Sequence, residues 1–145
     1  MSVRFADTSV LLYAVSTDSA EQEKADVARL TLREADLRLS VQVLQEFYVQ
    51  ATRASRSDAL THEQARDLVE TFLRFAVQET TGAVLTAALA TCRRFGISYW
   101  DAAIIEAARA AGADVVLSED LNDGQDFNGV RVENPFKRVA ASRDA

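Results

Sequence analysis

DVVLS at residues 114–118 decides the fold: it is a short, β-branched apolar run, and the polar segment SEDLNDG (118–124) follows it at once. A run without alternation of apolar and polar residues is typical of a parallel strand that is buried on both faces. Toward the N-terminus, VRFA (3–6) has the same character, and beyond the polar segment VRVEN (130–134) reads as the last strand. The pattern therefore predicts a sheet built from distant parts of the chain.

Helical segments separate these strands. The clearest begins at Thr61, which forms a capping box with Gln64 and precedes an apolar face that runs through residues 65–76. Gly96 and Gly112 stand where the residue after a helix is expected. Further helices are predicted at about 20–35, 41–53, 82–95 and 98–111, with a short strand of alternating residues (Leu37, Leu39) ending at Ser40. Strands that alternate with helices predict an α/β fold with a mainly parallel sheet.

Length and composition limit the classes of protein. The chain has 145 residues and a net charge of −6, and we expect one domain at residues 1–135 with a C-terminal tail at 136–145. The negative charge argues against a passive nucleic-acid binder, which contacts phosphates through Lys and Arg, but not against a metal enzyme. No apolar run is long enough to span a bilayer, the N-terminus lacks a signal-peptide stretch, and Cys92 is alone. These observations favour a cytoplasmic protein without membrane association.

Four acidic residues stand at the edges of apolar runs, where an unpaired carboxylate is costly to bury. They are Asp7 in FADTSVLLY, Glu46 in VLQEFYV, Asp101 in SYWDAAII and Asp120 in VVLSEDLNDG. Asp7 directly follows the first strand and Asp120 lies just past the strand at 114–118, so both fall at the edge of the sheet where ligands bind. Four such acids from separate segments predict a converging site of oxygen ligands for a divalent metal.

Each of these acids also has a structural explanation. Asp7 could be the N-cap of the following helix, although Ser9 could cap it equally well. Asp101 lies three residues after Ser98, which fits a capping box. Glu46 lies on the border of an apolar helical stripe and could extend into solvent.

Turn chemistry explains the segment after residue 118 only in part. Asn122, Asp123 and Gly124 are ordinary turn formers, whereas Asp120 is less well explained in this way. A calcium loop of the DxDxDG type is excluded, because the spacing fails and no glutamate closes the loop.

The chemistry of the four acids points to a hard cation. Oxygen ligands without a histidine or cysteine beside them select Mg²⁺ or Mn²⁺ rather than zinc. Acidic clusters that hold one or two such ions are suited to phosphodiester hydrolysis. Crowded carboxylates should also raise one another's pKa, so that metal and proton compete for the site.

Four segments taken together resemble the PIN-domain ribonucleases and, more narrowly, the VapC toxins of type II toxin–antitoxin pairs. The segments are DTSVLLY, LQEFYV, YWDAAIIEAA and VLSEDLNDG, in that order across residues 3–133. The resemblance implies a three-layer α/β/α sandwich, RNA endonuclease activity, a homodimer and a small antitoxin that blocks the site. It also implies a catalytic quartet that binds Mg²⁺ or Mn²⁺, formed by Asp7, Glu46, Asp101 and Asp120.

The resemblance implies secondary roles as well. Thr8 and Ser118 would be polar groups near the metal or its water. Many PIN domains carry a further acid two residues beyond the fourth, and here Asn122 occupies that place with Asp123 beside it. Asp123 is therefore an optional member of the site.

The sequence thus predicts a Mg²⁺- or Mn²⁺-dependent endoribonuclease, the toxin of a toxin–antitoxin pair. One alternative is a catalytically inactive PIN-like module that binds RNA or protein. Another is a receiver-like phosphoryl-transfer domain, which is disfavoured because neither Lys24 nor Lys137 follows a predicted strand.

Aromatic and basic residues near these segments have two possible uses. Tyr48, Tyr99 and Trp100 could stack on RNA bases, although aromatic residues beside apolar runs usually belong to the core. Arg53 and Arg56 could contact phosphates, although a solvated helix face is the ordinary explanation for such arginines.

Overall fold

The computed structural model of the chain describes residues 2–137. Its strands are Arg4–Ala6 (β1), Arg38–Ser40 (β2), Ala76–Gln78 (β3), Val115–Leu117 (β4), Asp126–Phe127 (β5) and Val130–Glu133 (β6). Its α-helices are Thr8–Val15 (α1), Gln22–Thr31 (α2), Val41–Ala51 (α3), His62–Phe72 (α4), Gly82–Phe95 (α5) and Tyr99–Ala110 (α6). None of these helices is long and apolar enough to cross a membrane.

The strands form one sheet in the order β3-β2-β1-β4-β6-β5. All neighbouring strands are parallel except β5, which pairs antiparallel with β6. The chain moves outward from β1 through β2 to β3 and then returns to place β4 on the other side of β1. The β1–β4 pair is therefore the point at which the strand order reverses, and a crevice is expected at the carboxyl ends of these strands. Ala6 pairs with Leu117 there, so the residues that follow them leave the sheet side by side.

The helices cover both faces of this sheet. Helix α1 contacts α2 and α3, α3 contacts α4, and α5 contacts α6. Right-handed crossovers, the rule for parallel strands, put the first four helices on one face and α5 with α6 on the other. Phe5 in β1 and Val116 in β4 are fully buried between the layers, with Phe47 of α3 and Ile105 of α6 as fully buried residues of the two helical layers. The predicted three-layer α/β/α sandwich with a mainly parallel sheet is confirmed.

Side-chain caps fix where the helices near the crevice begin. Asp7 caps α1, Ser40 caps α3 through a 3.2 Å bond from Val43 N, and Ser98 caps α6 through a 3.1 Å bond from Asp101 N. Helices α1 and α3 directly follow β1 and β2, so they start at the carboxyl edge of the sheet. Helix α6 leads directly into β4 and runs antiparallel to it, so its first turn lies at the same edge.

Two strands were not predicted from the sequence. Ala76, expected on the apolar face of a helix, begins β3 instead, because α4 ends at Phe72 and the chain then pairs with β2 through Arg38. Strand β5 forms a hairpin with β6 around Asn128 and Gly129, whose φ angles are 57° and 97°. An Asn-Gly pair between two strands is a strong hairpin signal, so this turn was readable in the sequence.

The folded domain extends slightly beyond its predicted boundary. Phe136, assigned to the tail, is 1% exposed, and its ring packs edge-on against Tyr13 with 4.8 Å between ring centroids. The boundary between residues 135 and 136 was therefore placed too early. The rest of the predicted tail, at 138–145, lies outside the residues that the structure describes.

Candidate active site

A cavity of about 240 Å³ opens at the carboxyl ends of β1 and β4, and all four predicted acids line it. Asp7 comes from the end of β1, Glu46 from α3, Asp101 from the first turn of α6 and Asp120 from the loop after β4. The structure thus brings together four carboxyl groups that are spread over more than a hundred residues of sequence. The same wall also contains Thr8, Tyr13, Glu21, Arg56, Trp100 and Glu119.

Asp7 is a buried carboxyl group with two hydrogen-bond donors. Its Oδ1 accepts a bond from Thr8 N at 2.7 Å and its Oδ2 accepts one from Ser118 Oγ at 2.8 Å. Burial raises the pKa of Asp7 to about 6, because these two bonds lower it only in part while the charges of Glu46 and Asp120 raise it further. Asp7 is therefore poised to bind either a proton or a cation near neutral pH.

Asp7 is also the N-cap of α1, which is the structural role that the sequence offered for it. The cap bond goes to Thr8 N and uses only one oxygen of the carboxylate. Ser9, the other candidate cap, lies inside the helix, and its Oγ accepts a long bond from Glu119 N at 3.4 Å. The cap orients Asp7 without removing it from the cavity.

Ser118 links the two sides of the crevice through one buried hydroxyl group. Its Oγ donates to Asp7 and accepts bonds from Asp120 N at 3.1 Å and Leu121 N at 3.3 Å. The side chain is 0% exposed. Ser118 therefore fixes the loop that carries Asp120 relative to the carboxylate of Asp7.

Glu46 does not extend freely into solvent. Thr8 Oγ1 donates to its Oε2 at 2.8 Å, and Gln42 Nε2 donates to its Oε1 at 3.0 Å. Gln42 also donates to the carbonyl oxygen of Trp100 at 3.2 Å, which connects α3 with the first turn of α6. The carboxylate of Glu46 is thus held at the cavity by a hydroxyl group and an amide group.

Asp101 is not the second half of a capping box in the structure. Its backbone N–H is capped by Ser98, but the reciprocal bond from Ser98 N to the Asp101 carboxylate is not formed in the described chain. In α4 both halves are present, and Thr61 N donates to Gln64 Oε1 at 2.9 Å. The Asp101 carboxylate therefore remains available at the cavity wall, in the first turn of a helix, where negative charge is favoured.

Asp120 lies close enough to other acids of the cavity for their charges to act on its carboxyl group. Its pKa is raised, first by partial burial and then by the charges of Glu119, Asp101 and Glu46. Repulsion of this kind requires the carboxylates to be near neighbours, which agrees with their shared cavity. Any cation that enters would relieve this repulsion.

Glu119 lies in the same wall but has partners of its own. Lys24 Nζ contacts its Oε2 at 2.6 Å and Tyr13 OH donates to its Oε1 at 2.7 Å. Lys24 Nζ also lies 3.4 Å from Tyr13 OH. Lys24 therefore offsets part of the negative charge of Glu119, although that charge still raises the pKa of Asp120.

Asp123, the optional member of the predicted site, does not line the cavity. Its Oδ1 accepts a bond from Asn134 N at 2.8 Å, and its Oδ2 contacts Lys137 Nζ at 2.9 Å. These contacts lower the pKa of Asp123, the bond from Asn134 being the larger cause. The structure gives this residue a role in fastening the segment after β6.

The donor set suits a hard cation, since every predicted ligand is a carboxylate oxygen. As the side chains stand, however, no group of three or more Asp, Glu, His or Cys residues within 2–137 is arranged to hold a metal ion. The hydrogen bonds from Thr8 and Gln42 keep Glu46 engaged, and like charges oppose closer approach of the carboxylates. The carboxylate oxygens are therefore the right kind of ligand for Mg²⁺ or Mn²⁺. In the structure, however, these carboxylates lie too far apart to hold an ion together.

Several residues of the site were not predicted. Gln42 lies four residues before Glu46 on α3, and this spacing is a signal that the sequence offers. Glu119 directly precedes Asp120 in the sequence but was given no role in the predicted site. Its pairing with Lys24 spans 95 residues, and no local pattern reveals it.

Comparison with known proteins places this geometry in context. A family model described as the PIN domain matches residues 4–125. A search of curated proteins finds no match to the chain.

Solved structures of low sequence identity share the fold. One is VapC20 of Mycobacterium tuberculosis, described as a toxin that cleaves the sarcin–ricin loop, with 19% identity, a TM-score of 0.62 and coverage of 81% of this chain and 91% of the other. A toxin–antitoxin complex from Klebsiella pneumoniae gives 16% identity, a TM-score of 0.62 and coverage of 91% and 97%. DNA-bound VapBC from Salmonella typhimurium gives 23% identity, a TM-score of 0.59 and coverage of 93% and 99%.

Proposed function

The chain belongs to the PIN-domain family, and on that basis we propose that it is a Mg²⁺- or Mn²⁺-dependent endoribonuclease. The observation that carries the proposal is the convergence of Asp7, Glu46, Asp101 and Asp120 on one cavity at the switch point of the sheet. The reaction is hydrolysis of an RNA phosphodiester bond.

We propose that these four carboxylates hold one or two divalent ions. A bound ion of this kind lowers the pKa of a water molecule and stabilises negative charge on a phosphate. Support comes from the oxygen-only donor set and from the raised pKa of Asp7 and of Asp120, which are expected of carboxylates awaiting a cation.

The surrounding residues position these ligands. Thr8 contributes its backbone N–H to Asp7 and its hydroxyl group to Glu46, so one residue orients two of the four carboxylates. Ser118 orients Asp7 from the other strand. Lys24 pairs with Glu119 and so offsets part of the negative charge that an approaching phosphate meets.

We further propose that the protein is the toxin of a toxin–antitoxin pair and acts on RNA in the cytoplasm as a homodimer. The support is the PIN family itself, together with structural neighbours described as toxins and toxin–antitoxin complexes. A small cognate protein that covers the acidic cavity would then inhibit the enzyme.

The test is cleavage of purified RNA by the chain with Mg²⁺ or Mn²⁺, with EDTA as the metal-free condition. Asp7→Asn and Asp101→Asn should each abolish cleavage while preserving the fold. Asp67→Asn serves as the matched control, because Asp67 lies on the exposed side of α4 and pairs only with its neighbour Arg66. Full activity in both site variants would contradict the assignment.

A second candidate function is an inactive PIN-like module that binds RNA or protein. The observation in its favour is that no three acidic side chains in residues 2–137 stand ready to hold an ion. Calorimetric titration with Mn²⁺ separates the two functions. Binding that disappears in Asp7→Asn supports the enzyme, and the absence of binding to the wild type supports the inactive module.

A further inference from the structure

Trp100 is a large apolar side chain that the fold leaves in solvent beside the acidic cavity. It is 64% exposed, lines the cavity and directly precedes Asp101. It is also the only tryptophan of the chain. A side chain of this size gains about 1.5–3 kcal/mol when it is buried, so its exposure at this position is notable.

The position of Trp100 is fixed by its neighbours. Its ring packs edge-on against Tyr99, with 5.1 Å between centroids and 80° between ring planes. Its carbonyl oxygen accepts the bond from Gln42 that also connects to Glu46. The indole therefore projects from a helix start that is tied to one of the four acids.

Among residues 2–137, Arg56 is the one basic residue that lines the cavity. Its Nε lies 3.1 Å from Asp58 Oδ1, and Asp58 in turn accepts a bond from Thr17 N at 3.0 Å. In residues 2–137 the Arg56 side chain has no other ion pair or hydrogen bond. A guanidinium group has five N–H donors, so most of them remain for a ligand.

The cavity wall is strongly negative, so a phosphate group can bind there only beside a positively charged group. In the described part of the chain six acidic residues line the cavity, and they are Asp7, Glu21, Glu46, Asp101, Glu119 and Asp120. A guanidinium group matches phosphate geometry and stays charged at every relevant pH. An exposed indole matches the flat face of an unpaired base.

We propose that Trp100 stacks on an unpaired base next to the scissile phosphate and that Arg56 binds the phosphate of a neighbouring nucleotide. This inference rests on the proposed function, because it assigns substrate contacts to that same cavity. It adds two substrate-binding residues to the four acids. Trp100 contacts a base through the face of its ring, and Arg56 contacts a phosphate through its charge. Both contacts tolerate different bases, so they position RNA without selecting its sequence.

The single tryptophan makes stacking directly measurable. Wild-type protein is titrated with an eight-nucleotide oligoadenosine, with Ca²⁺ replacing Mg²⁺ and with a gel to verify that the RNA stays intact. The matched ligand is an abasic ribose-phosphate oligomer of the same length and charge. We expect quenching of Trp100 fluorescence by oligoadenosine and none by the abasic oligomer. Equal quenching by both oligomers, or quenching by neither, would overturn the proposal.

Variants separate the two contacts when binding is followed by the fluorescence anisotropy of labelled oligoadenosine and of the labelled abasic oligomer. Trp100→Leu should weaken binding about 5- to 150-fold, and Trp100→Phe should recover part of the loss. Arg56→Gln should weaken binding of both oligomers and reduce the salt slope by about one, and Arg56→Lys should restore the slope. Arg53→Gln is the control, because Arg53 is exposed in the same segment and does not line the cavity.

Cleavage kinetics distinguish failure of this inference from failure of the proposed function. An inactive wild type with every metal and RNA tested would contradict the nuclease assignment. An active wild type whose KM is unchanged in both Trp100→Leu and Arg56→Gln would contradict only the present inference. A change in oligomeric state in Trp100→Leu, without any effect on oligoadenosine binding, would also contradict it and would assign Trp100 to a protein contact.

Discussion

Ser118 Oγ donates a 2.8 Å hydrogen bond to Asp7 Oδ2 across 111 residues of sequence, and both side chains are buried. The bond joins the ends of the two strands between which the strand order reverses. Because it favours the charged form of Asp7, it opposes the effect of burial on the pKa of that carboxyl group.

Ser118→Ala should therefore raise the pKa of Asp7 above its value of about 6. It also leaves Asp120 N and Leu121 N without their acceptor, and we expect a loss of about 1–3 kcal/mol in the free energy of unfolding. The acid limb of the pH–rate profile for RNA cleavage should move to higher pH. Ser57→Ala, at an exposed position, is the control, and an unshifted acid limb in Ser118→Ala would contradict the role assigned to this hydroxyl group.

Asp7→Asn should stabilise the metal-free protein at neutral pH while abolishing activity. The pKa of Asp7 is about 6 in the folded chain against an ordinary value of 3.8, so the folded state holds this proton more tightly and the wild type loses stability between about pH 4 and 6. A difference of this size corresponds to at most about 3 kcal/mol. Urea unfolding in EDTA at pH 4 and pH 8 measures it.

The variant should unfold at a higher urea concentration than the wild type at pH 8 and at a similar one at pH 4. Asp67→Asn is the control at an exposed position of α4, and it should unfold at the same urea concentration as the wild type at both pH values because it retains Asp7. A wild type that is more stable than Asp7→Asn at pH 8 in EDTA would contradict this prediction. It would mean that the buried charge of Asp7 does not lower the free energy of unfolding.

Mn²⁺ should stabilise the wild type, and more strongly above pH 6 than below it. Metal and proton compete for Asp7 and Asp120, whose pKa values are raised. At a free concentration one hundred times Kd the gain is about 2.7 kcal/mol. Thermal unfolding with and without Mn²⁺ at pH 5.5 and pH 8 checks the prediction, and an equal shift in Asp7→Asn would place the ion elsewhere.

Lys24→Met should change the pH dependence of cleavage through Glu119. Lys24 contacts Glu119 Oε2 at 2.6 Å, and the charge of Glu119 already raises the pKa of Asp120. Without the ammonium group that effect grows, so the acid limb should move to higher pH.

Glu119→Gln should move the same limb to lower pH, and the double variant should resemble Glu119→Gln alone. A double-mutant cycle isolates this coupling. Additive shifts in the cycle would mean that Lys24 acts on Asp120 directly rather than through Glu119.

The fold was accessible from the sequence because its signals are local. The buried run at 114–118, the capping box at Thr61 and the glycine at Gly96 each predicted an element that the structure contains. The resemblance to PIN domains is confirmed by the family model. Strand β3 was missed because Ala76, its first residue, continues the apolar pattern of α4, and only pairing with β2 makes residues 76–78 a strand.

The candidate site was accessible only in part. The four acids were found because carboxylates beside apolar runs are conspicuous, and the placement of Asp7 and Asp120 after β1 and β4 follows from topology. The pairs that hold them, such as Lys24 with Glu119, join distant segments and leave no local trace. Whether the four acids bind metal stays a prediction.

The pairing of β1 with β4 also bears on when the acidic cavity can form during synthesis of the chain. Asp7 is synthesised 111 residues before Ser118, which donates a hydrogen bond to it, and Asp120 follows Ser118. Strand pairing across so many residues is slow compared with the formation of a helix. A nascent chain that lacks β4 and the loop after it therefore has no assembled acidic cavity, so any activity that depends on this cavity begins only after the loop that carries Asp120 has been made.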